Sequence, residues 1–223
     1  MQTRYVIAMN SRIVKFFIII FILFLSTCGS RSVKDSDRQR EVREKAILNQ
    51  YSQEKNEKYA DLLVDIQRYT TNGAAFQERY HKYLIGIAGD ITENKGMTIG
   101  KGSIGFYFDK KSSDRDRLYL GLDILAGDIS NKQYDRVALA LIHEYMESIM
   151  ETMNSCKTIF GEKEVVGMVI GFKWKGGDSD EQVNIWIQKE DVLKYEINQL
   201  TFDELVQRST VTNTAGKIIR FTQ

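Results

Sequence analysis

Residues 131–154 read NKQYDRVALALIHEYMESIMETMN, and the fold turns on how this stretch is read. Tyr134, Val137, Ala138, Leu141, Tyr145 and Ile149 recur at spacings of three, four and their multiples, the repeat of one helix face. Ile142, Met146, Met150 and Met153 widen that face. A helix with so broad an apolar band has to be covered on most of one side, which predicts the central helix of a core.

Strand-like segments lie on both sides of it. Before it, Ile104, Phe106 and Phe108 alternate with Gly105 and Tyr107, and Leu118, Leu120, Leu122 and Ile124 alternate again after the polar run 110–117, KKSSDRDR. Period-two alternation broken by a polar loop predicts a β-hairpin. After the helix, Val165–Trp174 and Val183–Ile187, joined through KGGDSDE, predict a second hairpin. Thr201 with Glu204 has the spacing of a capping box opening a short helix through Val206, and Lys217–Thr222 reads as a closing strand.

Towards the N-terminus, Leu48, Tyr51, Tyr59, Leu62, Ile66 and Tyr69 form a helical stripe interrupted at Lys55. It is expected to end near Thr70, ahead of a turn at Asn72-Gly73. Phe76, Tyr80, Tyr83 and Leu84 suggest a second helix. Helices first, then hairpins around a long helix, predict an α+β domain with an antiparallel sheet of two hairpins packed on the central helix. No internal repeat is visible.

The segment ahead of the domain has a different character. Phe16–Leu25 is FFIIIFILFL, ten apolar residues preceded by Arg12 and Lys15. A spanning helix needs about 20 apolar residues, whereas a signal-peptide hydrophobic region needs roughly 7–15. Met9, opening MNSRIVK, gives a more usual start for such a signal than Met1.

After this run comes Leu25-Ser26-Thr27-Cys28-Gly29, which resembles the lipobox of bacterial lipoproteins. Thr27 stands where the common pattern has Gly, Ala or Ser; looser lipoboxes, such as those of spirochaetes, accept it. The resemblance covers residues 9–29. It implies cleavage before Cys28 by signal peptidase II, a diacylglyceryl group on the Cys28 thiol and usually an acyl chain, such as palmitate, on the new N-terminus. The membrane would then be the partner, held through acylated Cys28. Gly29, rather than Asp, behind the cysteine implies release to the outer membrane, facing either the periplasm or the cell surface.

The expected organisation is a signal peptide over 1–27, a charged tether over 28–45 and a single α+β domain over 46–223. The tether sequence GSRSVKDSDRQREVREK has Val42 as its apolar residue of note and many charges of both signs, so it reads as solvated. With Cys28 acylated, Cys156 is the one remaining cysteine, and it is expected to be a buried, inert thiol.

Composition narrows the function. Lys and Arg number 31 against 30 Asp and Glu; removing Arg4, Arg12 and Lys15 with the signal leaves 28 against 30. A near-neutral domain has no field to attract nucleic acid. Proline is absent, which argues against a proline-rich stalk.

Four stretches have the outline of a chemical site. Gly100-Lys101-Gly102-Ser103-Ile104-Gly105 spells G-x-G-x-x-G but runs into strand-like residues instead of opening a helix, as a dinucleotide site requires; a strand bend is expected. His143-Glu144-Tyr145-Met146-Glu147 has Glu where a zinc protease has its second His. His81 is the one other histidine. The Asp pairs Asp114/Asp116 and Asp178/Asp180 lack the ligand order of a calcium loop. The expectation is a non-catalytic lipoprotein, without cofactor or metal, that acts by binding or as an envelope component. The alternative is an exported metal-dependent hydrolase with its site near His143, Glu144 and Glu147.

Overall fold

The computed structural model describes residues 34–35, 37–51, 56–65, 71–108, 117–129 and 132–221. The chain divides into two units, Met1–Gln39 and Arg40–Gln223. In the first, the described residues 34–35 and 37–39 are helical.

The second unit is α+β. Helical residues 40–51 (α1) and the helices α2 (Asn56–Ala60), α3 (Thr71–Arg79) and α4 (His81–Gly89) come first, and α4 runs into a π-turn at Asp90–Asn94. The strands are β1 (Gly105–Tyr107), β2 (Leu118–Asp128), β3 (Val165–Gly176), β4 (Ser179–Gln188) and β5 (Thr210–Asn213). Between β2 and β3 lie α5 (Tyr134–Asn154) and α6 (Lys157–Phe160); α7 (Lys189–Glu196) and α8 (Phe202–Arg208) join β4 to β5.

The sheet order is β1-β2-β3-β4-β5. Both expected hairpins are present, and β4 pairs with β5 antiparallel as well. The sheet is nevertheless mixed, because β2 and β3 run parallel, Leu118 opposite Val165. The reason is the length of α5. Its 21 residues reach roughly 32 Å at 1.5 Å each, close to the roughly 36 Å of the 11-residue β2. The helix therefore carries the chain back to the end where β2 began, and a strand starting there can only run parallel.

Three further expectations are corrected. The stripe Leu48–Tyr69 is not one helix: the chain turns at Asp61-Leu62, and Leu63 forms a bridge to Ile104. Asn72-Gly73 is not a turn but lies in the first turn of α3. The closing strand is β5, with Lys217–Phe221 contributing only an isolated bridge from Ile218 to Thr212.

The core lies on one face of the sheet. Leu120, Leu122, Ile124, Met168, Ile170, Phe172, Val183, Ile185 and Ile187 join Ile142, Met146, Ile149, Met150 and Met153 of α5 in one buried cluster, to which every helix contributes. The apolar face assigned to residues 131–154 is thus the buried one. Tyr119 and Val169 are buried outside that cluster, on the opposite face, where side chains lie flat over glycines. The Tyr119 ring crosses Gly167, Tyr107 reaches over Gly121, and Asp123 lies over Gly171. Trp186 meets Tyr119 edge-on at 5.1 Å. Lys173 pairs with Asp123 at 2.7 Å.

Candidate functional site

The boundary of the domain falls at Arg40, inside the expected tether, and the reason lies in two charged residues. Arg40 and Glu44 are each only 7% exposed, whereas Val42 between them is 61% exposed. On a helix, positions 40, 44, 47 and 51 share a face. Ile47 packs against Gly86 and Tyr51 against Gly89, so the buried stripe of α1 continues backwards into an Arg and a Glu.

Each of these charges meets a helix end. The last carbonyls of a helix and its first N–H groups have no partner within the helix. Arg40 Nε donates to the carbonyl oxygen of Asn154, the last residue of α5, at 3.0 Å. Glu44 Oε1 accepts from the backbone N–H of Thr158, in the first turn of α6, at 3.3 Å. Cation to C-terminus and anion to N-terminus is also the favourable electrostatic sense. One helix face therefore fastens the α5–α6 junction from both sides. Beneath it Cys156 is 2% exposed, and burial pushes its thiol pKa far up. That is the chemistry of an inert thiol, as expected for this residue.

Beside this junction, α1, the second half of α5 and the α7–α8 connection line an open hollow of about 740 Å³. Its wall carries Arg40 and Arg43 from α1, Glu147, Glu151 and Asn154 from α5, and Tyr195 and Glu196 from α7. Arg40 Nε meets Glu196 Oε1 at 3.0 Å. Arg43 Nη1 meets Glu151 Oε1 at 3.0 Å, and Lys95 Nζ meets Glu151 Oε2 at 3.0 Å. The hydrogen bond from Lys95 is the main cause that holds the Glu151 carboxyl below its usual range. Tyr195 Oη donates to Glu147 Oε1 at 2.6 Å, and burial first, then this bond, raises the tyrosine pKa. Asn198, which ends α7 in the left-handed conformation at φ 57°, lines the same hollow; Asn is among the side chains that tolerate it best.

Two polar atoms are buried behind this wall. Arg40 Nη2 and Asn154 Oδ1 are buried and have no hydrogen-bond partner among the described residues. One is a donor and the other an acceptor. An unpaired buried polar atom costs roughly 1–3 kcal/mol.

The residues singled out in the sequence do not gather here. His143 and Glu144 are exposed on α5. His143 meets the Phe202 ring at a tilt, centroids 5.6 Å apart, and lines a hollow beside β5, Glu144 lines another beside Ile129, and only Glu147 reaches the charged hollow. His81 is exposed at the start of α4. Among the described residues, no group of three or more His, Cys, Asp or Glu is placed to hold a metal.

The glycine motif is spoken for by the fold. Gly100 N donates to Asp123 O, Gly102 N to Asp61 O, and the N–H groups of Ser103 and Ile104 to Leu62 O. Gly102 sits at φ +60°, so the glycines serve a bend ahead of β1. Asp178 and Asp180 are exposed at the β3–β4 turn. Asp114, Asp116 and Cys28 lie outside the described residues.

Arg40 and Asn154 were missed for opposite reasons. Arg40 lies in a charge-rich run that reads as solvated, yet stepping back from Tyr51 by helical spacing lands on it. Asn154 ends a helix like many others, and nothing local marks its side chain. No known protein family matches the chain, and neither does any curated protein or solved structure.

Proposed function

We propose that this chain is an exported lipoprotein, cut before Cys28, acylated on that cysteine and held at a membrane surface, where its domain works by binding. The observation that carries this reading is the run Phe16–Leu25 followed by Leu25-Ser26-Thr27-Cys28. Ten apolar residues suit a signal better than a span. Several acyl chains, each buried CH₂ contributing about 0.8 kcal/mol, hold a protein stably where a single one does not. Gly29 behind the cysteine favours the outer membrane as its destination.

The described residues are compatible with such a role. No helix among them is long and apolar enough to cross a membrane. The eleven residues from Gly29 to Gln39 extend to at most about 40 Å, so the domain works within that distance of its anchor. Binding is favoured over catalysis by the charged hollow, whose carboxylates are engaged by Arg, Lys and Tyr partners, and by the divergence of His143, Glu144 and Glu147 into separate hollows.

The test is Cys28→Ser in cells fed labelled fatty acid. Wild type is expected to carry acyl mass on Cys28, to lack residues 1–27 and to partition into detergent. The variant is expected to incorporate no label and to keep its signal segment. Wild type with an unmodified Cys28 and with residues 16–25 retained would show a signal-anchored protein instead.

A further inference from the structure

Parallel strands are ordinarily covered on both faces. In this sheet β2 and β3 run parallel at the centre, and among the described residues every helix joins the cluster on the core face. The opposite face is left to the sheet's own side chains. The register sets them in rows: Tyr119, Gly167 and Gln188 lie across one, Gly121, Val169 and Trp186 across the next, and Asp123, Gly171 and Asn184 across the third.

The third row gathers polar groups over bare backbone. A Cβ at Gly171 would meet Asp123 Oδ1, Asn184 Oδ1 and Gln182 Nε2, all within 3.0 Å. Gln182 Nε2 donates to Asn184 Oδ1 at 2.5 Å and to Asp123 Oδ1 at 3.3 Å, and Lys173 Nζ pairs with Asp123 Oδ2 at 2.7 Å. These bonds hold the groups in place without exhausting them, because a carboxamide offers both donors and an acceptor. Asn184 Nδ2 and Gln182 Oε1 have no hydrogen-bond partner among the described residues, and neither is a buried atom, so both are open to solvent.

An aromatic ring stands beside them. Trp186 is half-buried and shares its face of β4 with Asn184. Tyr119 lies over Gly167, and the indole is turned 89° from that ring, so it stands up from the sheet, its N–H reaching Thr212 Oγ1 at 3.4 Å.

We propose that this face binds a neutral glycan, a chain of pyranose sugars, with the Trp186 indole against the C–H face of one ring and Asn184, Gln182 and Asp123 bonded to its hydroxyls. This rests on reading the domain as a binder but not on its anchoring. The chemistry selects the occupant. A pyranose has an apolar C–H face and a rim of adjacent hydroxyls, each both donor and acceptor, which matches an aromatic beside planar amides and a carboxylate. Asp123 and Lys173 neutralise one another, so an anion or a cation finds no excess of the opposite charge. A second copy of the chain needs a broad apolar patch, whereas Tyr119 and Val169 on this face are already 92% and 94% covered by their neighbours, at 8% and 6% exposure.

The experiment is titration of the full chain, in a detergent without a sugar headgroup, with chitotetraose, cellotetraose, maltotetraose and mannotetraose, read by calorimetry and tryptophan fluorescence. The chain has two tryptophans; Trp174 is 4% exposed, so a change in emission reports on Trp186. At least one oligosaccharide is expected to bind at millimolar concentration or below and to shift the emission to the blue as the indole loses water. Asn184→Ala is expected to weaken that binding about tenfold, as the loss of a hydrogen bond implies, and Trp186→Ala to abolish it. Gln207→Ala, on the exposed side of α8, is expected to leave it unchanged. Because Trp186→Ala also removes packing on Tyr119, Asn184→Ala with an unaltered circular dichroism spectrum stands as the independent measurement.

Binding of no oligosaccharide, binding that survives both Asn184→Ala and Trp186→Ala, or a dimer in sedimentation that Trp186→Ala dissolves would overturn the proposal. Acyl mass on Cys28, measured on the same preparation, keeps a failure of binding distinct from a failure of anchoring.

Discussion

Gly167 shows what a single missing Cβ does in this fold. It lies in extended β3, opposite Gln188, and needs no unusual backbone angle. An Ala there would place its Cβ onto the carbonyl oxygen of Ile187 and within 3.0 Å of the Tyr119 ring. The carbonyl belongs to the neighbouring strand and cannot swing aside, so β4 would have to move. Overpacking of this kind costs about 1–3 kcal/mol, and a chain of this size loses roughly 2–4 °C for each kcal/mol. Gly167→Ala is therefore expected to lower the thermal midpoint by several degrees, read by circular dichroism; a midpoint within a degree of wild type would mean that β3 and β4 are not packed this closely. Gly216→Ala makes a useful contrast. Its Cβ would meet nothing within 4 Å, and its φ of +71° alone would oppose the change, a cost of roughly 1–2 kcal/mol.

Among the elements, α1 separates what sequence reading captures from what it cannot. Deleting residues 29–39 is expected to leave the thermal midpoint of the domain unchanged, because the packed unit begins at Arg40. Extending the deletion through Lys45 removes the bonds of Arg40 to Asn154 O and Glu196 and of Glu44 to Thr158 N. Hydrogen bonds to charged groups contribute about 1.5–3 kcal/mol each, so the longer deletion is expected to lower the midpoint by several degrees. Equal midpoints for the two would restore the tether to its expected length. Hydropathy could not find this boundary, since the buried positions are charged and the exposed one is Val42. Spacing could have, because Arg40, Glu44, Ile47 and Tyr51 keep one helical face. The same contrast holds for the sheet. Alternation along Leu118–Ile124 marked β2, the runs Val165–Trp174 and Val183–Ile187 around a polar turn marked β3 and β4, and Thr201 with Glu204 forms the capping box, because these signals are local. The parallel pairing of β2 with β3 is a property of the route α5 takes between them, which no alternation pattern encodes. The charged hollow was hidden in the same way, drawing its wall from α1, α5 and α7, which are far apart in the chain.

At the scale of the whole molecule, the buried tyrosines tie stability to pH. Tyr51, Tyr80 and Tyr134 are each pushed up to about 12. Burial is the largest cause in all three, joined by the charges of Glu93 and Asp90 for Tyr51, a hydrogen bond to Glu162 for Tyr80, and the charge of Glu181 for Tyr134. Burial acts on Tyr195 and Cys156 in the same direction. A phenol in the unfolded chain titrates near pH 10. Below about pH 10 the folded and unfolded forms are both neutral, and the stability contribution is fully present. Between about 10 and 12 the unfolded chain releases protons that the folded chain keeps, so stability falls as pH rises. The urea midpoint is therefore expected to stay nearly level from about pH 7 to 9 and to decline steeply above about pH 10. Over the same range, tyrosinate absorbance should show some phenols ionising freely near pH 10 and others ionising only as the domain unfolds. If all the tyrosines titrate near 10 while the fold persists, the rings of Tyr51 and Tyr80 are open to water, and the packing of Tyr51 on Gly89 and Tyr59 and of Tyr80 on Phe76 and Phe106 is looser than their 1% and 4% exposure indicates.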